Sequence, residues 1–165
     1  MNNILLNRSM HVSSAQTLER SRWYGPNLLT IMAYASETNG ALAMVKNVIR
    51  KGFEPPLHVH TREDESNYIL RGEIIFTVGD ETIHAKTGDY VHLPKNVPHT
   101  FKLVTNTAET LLVITPGGFE ELFVQCSRPA GAVELPPLGE PLTKEFFDKT
   151  KRVGETLGVT ILPSF

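Results

Sequence analysis

Gly52-Phe53-Glu54-Pro55-Pro56-Leu57-His58-Val59-His60-Thr61-Arg62-Glu63-Asp64-Glu65 is the stretch on which the reading turns. On a strand, residues i and i+2 share a face about 6.6–7 Å apart, so the imidazoles of His58 and His60 can converge on one ion. Glu65 follows after enough chain for a turn and a return. Gly72 then ends the next strand. The whole pattern is Gly52-x5-His58-x-His60-x4-Glu65-x6-Gly72. A second block, Gly88-x5-Pro94-x4-His99, places His99 at the start of a strand, where it can supply a third imidazole. Three neutral imidazoles and one carboxylate suit a divalent first-row ion.

Around this block, short β-favouring runs alternate with Gly, Pro, Asn and Asp breaks. They are Leu28–Tyr34, Leu42–Arg50, Glu65–Leu70, Glu73–Val78, Thr82–Ala85, Tyr90–Leu93, His99–Val104 and Thr110–Thr115. Their spacing is that of a sandwich or barrel, and Gly79-Asp80 is a tight hairpin signal of the Gly-X type. No window between Leu28 and Val124 shows a sustained helical period, so the core is expected to be all-β. One short helix is expected within Gly117–Cys126. Arg128 to Pro141 carries four prolines and reads as an extended linker. Thr143 reads as a helix N-cap. Phe146, Thr150, Val153 and Leu157 form one helical stripe, and Gly158 suits the stop. Val159–Leu162 is expected to add a strand to its own sheet or a neighbour's. The expected organisation is an N-terminal arm over 1–26, a barrel over 27–127, and a linker, helix and tail over 128–165. The last part would pack on the barrel or on a partner subunit.

Composition narrows the function classes. The chain has 165 residues, 41% hydrophobic and 21% charged, with a net charge of −2. That is the size and make-up of one globular domain. Without a basic run, nucleic acid is a poor candidate for a partner. No apolar stretch approaches the roughly 18 residues that span a bilayer, and Ile4-Leu5-Leu6 is too short for a signal-peptide core. The single cysteine, Cys126, excludes an internal disulfide. A cytoplasmic location is expected.

These blocks resemble the two motifs of the cupin superfamily. The first matches at every fixed position. The second matches at Gly88, Pro94 and His99 and departs at Asn96, where Gly is usual, and at Leu103, where Asn is usual. A narrower resemblance, to small single-domain bacterial cupins of the quercetin 2,3-dioxygenase-like kind, rests on five segments. They are Trp23-Tyr24-Gly25, Gly40-Ala41-Leu42, Pro55 to His60, Arg62 to Glu65, and Thr115-Pro116-Gly117-Gly118-Phe119-Glu120. The resemblance implies a jelly-roll (double-stranded β-helix) barrel with a short C-terminal helix. It implies a metal held by His58, His60, Glu65 and His99, and a homodimer. It also implies an enzyme that uses O2 to cleave a flavonol or enediol-type small molecule. The alternative is a non-oxidative metal-dependent cupin that binds or isomerises a small polar ligand, because one fold hosts many chemistries.

The metal would be one divalent ion, Mn, Fe, Co or Ni, with Zn as a further candidate. Four protein ligands saturate a tetrahedral Zn but leave two positions open on a six-coordinate ion. Glu65 is the expected general base toward a substrate hydroxyl. Its neighbours Glu63 and Asp64 compete for the ligand role, but only Glu65 leaves six residues before Gly72. The rest of that charge run is expected to be a solvated loop at the barrel mouth. Asn67 shares a face with Glu65 by period two and should point into the barrel, either toward substrate or as a satisfied core amide. Phe76 and Phe101 are expected to line the pocket or to serve core packing alone. His92 is expected at the surface or an interface, and His84 and His11 in solvent. Cys126 is expected to be a buried small hydrophobe.

Overall fold

The computed structural model describes residues 17–139 and 141–163. The N-terminal Ile4-Leu5-Leu6 stretch and His11 lie outside them. The elements in chain order are β1 (Ser21–Tyr24), β2 (Asn27–Ala33), β3 (Ala43–Arg50), β4 (His58–His60), β5 (Asp64–Arg71), β6 (Glu73–Val78), β7 (Glu81–Lys86), β8 (Tyr90–Leu93), β9 (His99–Leu103), β10 (Thr107–Thr115), α1 (Glu120–Cys126), β11 (Arg128–Pro129), α2 (Lys144–Thr156) and β12 (Val159–Ile161). They form two antiparallel sheets, in the strand orders β11-β1-β2-β3-β10-β5-β8 and β12-β4-β9-β6-β7. The all-β barrel with a short C-terminal helix, expected from the alternating runs, is the fold observed. No helix among the described residues is long and apolar enough to cross a membrane.

Alternation builds the interior. Along β3, Ala43, Val45, Asn47 and Ile49 face inward, and along β10 Ala108, Thr110, Leu112 and Ile114 do the same. Two apolar clusters fill opposite ends of these strands. One joins Ile49 and Ala108 to Ile69, Ile74, Phe76, Leu93 and Leu103. The other joins Ala43, Val45, Leu112 and Ile114 to Phe119, Leu122 and Val159. Each fully buried Ile, Leu or Phe contributes about 1.5–3 kcal/mol. The pair Asn47–Thr110, with Nδ2 donating to Oγ1 over 3.3 Å, lies between the two.

Two glycines are required by the backbone. Gly72 joins β5 to β6 at φ 91°, and a Cβ there would lie 2.8 Å from the Thr107 carbonyl oxygen. Gly158, at φ 88°, follows α2 and would place a Cβ 2.7 Å from Thr61 Oγ1. An L side chain fits neither the dihedral nor the space. The C-terminal segment closes on the barrel. Thr143 caps α2 by accepting from the Phe146 N–H. Phe146 then packs against Tyr24 and Phe53, with ring centroids 5.4 and 6.0 Å apart. After Gly158 the chain forms β12, which pairs with β4 of its own sheet. Residues 21–24, inside the segment read as an arm, pair with β2 and β11 as strand β1.

Candidate metal centre

β4 is a three-residue strand with both histidines on its inner face. β9 runs antiparallel to it and sets His99 opposite His58. Glu65 comes from the facing sheet, on the inner side of β5 between Ile114 and Leu93. One ligand-capable atom from each of the four lies within 4.8 Å of the others. Glu65 Oε2 is 3.5 Å from His99 Nε2 and 3.9 Å from His60 Nε2. The four expected residues are thus brought together, three from one sheet and one from the other.

The ring nitrogens show how the site is prepared. His58 Nδ1 lies 2.8 Å from the Pro56 carbonyl and His99 Nδ1 lies 3.1 Å from the Val97 carbonyl. A carbonyl only accepts, so Nδ1 of each ring carries the proton and Nε2 keeps a lone pair. His60 Nδ1 contacts Glu63 Oε1 at 2.5 Å. The inward Nε2 atoms of His60 and His99 are buried without a hydrogen-bond partner. A buried polar atom left unsatisfied is costly, and a cation is the partner that a set of converging lone pairs and one carboxylate accepts. The donor set fits a divalent ion on that ground.

Burial, with the neighbouring His99 and His60 charges, pushes His58 down to about 4. Burial also opposes charge on His60, but the hydrogen bond to Glu63 and the charges of Glu65 and Glu63 outweigh it and hold that ring above its usual value. Burial alone would raise Glu65. The contact with His99 and the three surrounding imidazoles prevail and hold its carboxyl at about 2. The centre therefore carries an ionised carboxylate among imidazoles over most of the pH range.

Asn67 is buried on the inner face of β5, opposite Val91 and Leu112 and one inward position from Glu65. Phe76 and Phe101 face each other across β6 and β9 with ring centroids 5.6 Å apart, Phe76 inside the apolar cluster and Phe101 half-buried beside it. His92 is exposed and contacts Ser66 Oγ, and exposed His84 contacts Glu73. Cys126 is buried. Glu63 departs from the expected solvated loop. It is 4% exposed, because the tight turn from β4 to β5 folds it back under His60. Asp64 instead accepts from the Lys95 N–H.

Three residues take places beside the centre that the sequence did not lead one to expect. Phe119 packs edge-on against His60, with centroids 4.5 Å apart. Glu120, 1% exposed, accepts from the Ala35 and Gly118 N–H groups and secures the loop that carries Phe119. Both lie in one of the five resembling segments, the only signal that pointed to them. The third is Glu63. The two departures from the second motif are also explained. Asn96 sits at φ 63°, a conformation that Asn tolerates nearly as Gly does, and its N–H donates to the His60 carbonyl. Leu103 is buried against Ile74 in the apolar cluster.

Residues 47–115 match the model of the cupin domain family. These residues are a cupin domain. The chain is 26% identical over 133 residues to quercetin 2,3-dioxygenase of Bacillus subtilis, covering 80% of this chain and 40% of that enzyme. It is 38% identical over 71 residues to quercetin 2,3-dioxygenase of Aspergillus japonicus, covering 40% of this chain and 20% of that enzyme. The chain therefore spans less than half the length of these curated relatives. Among solved structures, a predicted oxalate decarboxylase of Thermotoga maritima superposes with a TM-score of 0.55 at 23% identity. The superposition covers 65% of this chain and 99% of that chain, and it is a likeness of fold.

Proposed function

We propose that His58, His60, Glu65 and His99 hold one divalent ion of the Mn, Fe, Co, Ni or Zn group. On this reading the barrel is a quercetin 2,3-dioxygenase-like oxygenase acting on a flavonol or enediol-type small molecule. The observation that carries the metal assignment is the convergence of buried, lone-pair-bearing imidazole nitrogens on the Glu65 carboxylate. The relatives named quercetin 2,3-dioxygenase support the substrate class. When bound, the ion supplies Lewis-acid stabilisation of a substrate oxyanion. Glu65 accepts the proton of the substrate hydroxyl, since its carboxylate faces the same point as the imidazole nitrogens and lies within reach of a ligand bound there. Asn67, one inward position away on β5, orients the substrate through its amide. Phe101, half-buried beside the apolar cluster, offers an apolar surface suited to an aromatic ring, and Phe76 backs it from within that cluster.

The test is O2 uptake by metal-stripped protein reloaded separately with Mn, Fe, Co, Ni and Zn, with quercetin added under air. Uptake is expected with at least one ion, only in the presence of the flavonol. It should be lost in Glu65→Ala together with most of the metal affinity. A Glu65→Ala variant that keeps both metal and uptake refutes the assigned role. Confirmed ion binding without uptake in any form moves the centre to non-oxidative chemistry on a small polar ligand.

A further inference from the structure

The three histidines are oriented by unlike partners. His58 and His99 each donate Nδ1–H to a neutral carbonyl two residues back in the chain. His60 alone faces a carboxylate, Glu63 Oε1, and both side chains are buried. Orientation by itself does not need a charge there, as the other two rings demonstrate. Burying an anion is expensive unless it is paired. Among the described residues, the one ion-pair partner of Glu63 is His60. The neighbouring carboxylate cannot substitute, since Asp64 is taken up by the Lys95 N–H.

Resting on the metal reading above, we propose that Glu63 is a positioning residue. It fixes the His60 ring with Nε2 inward and brings the charge of the buried centre to balance. Glu65 alone would leave a divalent ion with one uncompensated positive charge. Glu63, acting through the imidazole, supplies the second negative charge and makes His60 the strongest donor of the three. A centre balanced in this way favours a divalent over a monovalent ion, and a neutral over an anionic outside ligand.

The experiment titrates Co2+ into metal-stripped wild type, Glu63→Gln and Glu63→Ala against a competing chelator. The visible Co2+ spectrum is recorded, and azide is then added. Glu63→Gln keeps an oxygen acceptor but removes the charge, so it should bind Co2+ about 10-fold more weakly, and Glu63→Ala nearer 100-fold. Both should shift the Co2+ bands, which a merely structural loss would not do, and azide should perturb them at lower concentration than in wild type. Variants that match wild type in affinity, spectrum and azide response overturn the role of Glu63 while leaving the metal reading intact. Wild type that binds no Co2+ overturns the metal reading and this proposal with it. Should the variants fail to fold, the proton spectrum of Zn2+-loaded wild type decides. The His60 Nδ1–H resonance is expected downfield of those of His58 and His99, and a position level with them or upfield overturns the proposal.

Discussion

His58 and His60 stand two residues apart on one strand, yet their environments pull their basicities in opposite directions. Burial dominates at His58 and holds it at about 4. At His60 the carboxylates win against burial and raise it. The consequence for stability follows from linkage. Between its free value of about 6.5 and about 4, His58 takes up a proton in the unfolded chain and not in the folded one. Its contribution is full above 6.5 and is lost as pH falls toward 4, an effect on the order of 3 kcal/mol. His60 acts oppositely, losing its contribution as pH rises through its raised value. Glu65, held at about 2, keeps its contribution until pH drops below its free value of about 4.3. Urea unfolding of the metal-free protein from pH 8 to 4 should show a midpoint that declines between pH 6.5 and 4. A flat midpoint across that interval contradicts the neutral, buried His58.

Among the elements, β4 has only three residues and is held by its surroundings. β12 pairs along its whole length, His99 of β9 pairs opposite His58, and the Asn96 N–H reaches the His60 carbonyl. The Thr61 N–H and hydroxyl both donate to the Gly158 carbonyl, tying the end of β4 to the end of α2. α1 performs a comparable service for Phe119 through Glu120. Replacing Glu120 by Ala leaves two backbone N–H groups without their charged acceptor and should destabilise the protein by about 2 kcal/mol. Denaturant titration checks this directly, and a loss below about 0.5 kcal/mol would match an ordinary surface change and contradict the role assigned to Glu120.

At the scale of the whole molecule, the centre joins two sheets that otherwise meet mainly through apolar side chains. Three donors come from the sheet of β4 and β9, and the fourth from the sheet of β5. An ion bound there acts as a cross-link that the unfolded chain lacks. At 100 times its dissociation constant it adds about 2.7 kcal/mol. For a chain of this size that corresponds to roughly 5–11 °C in Tm. A thermal melt of metal-stripped protein against protein with saturating Co2+ measures it. An unmoved Tm at confirmed saturation would mean that the site is not assembled by the fold in the way described.

Read by itself, the sequence determined the all-β class, most strand positions and the four residues of the centre. The class and the strands follow from local rules, and the four residues follow from the spacing of the two blocks. β-Favouring runs between Gly, Pro, Asn and Asp breaks mark β3 and β10, Gly72 marks the end of β5, and His58-x-His60 needs only a strand to share a face. What it could not determine depends on partners far along the chain. Ser21-Arg22-Trp23-Tyr24 became a strand because it folds back along β2, and residues 128–129, far along the chain, pair with its other edge. Val159–Ile161 chose its own sheet because α2 returns it to β4. Glu63 looked solvated, since it stands in the run Arg62-Glu63-Asp64-Glu65 and charge normally seeks water. Only the folded turn beneath His60 supplied an imidazole close enough to offset its burial. The spacing to Gly72 singles out Glu65 as the carboxylate that faces the centre, but tertiary structure alone decided that Glu63 stands behind His60, because that placement is made by the packing of the turn.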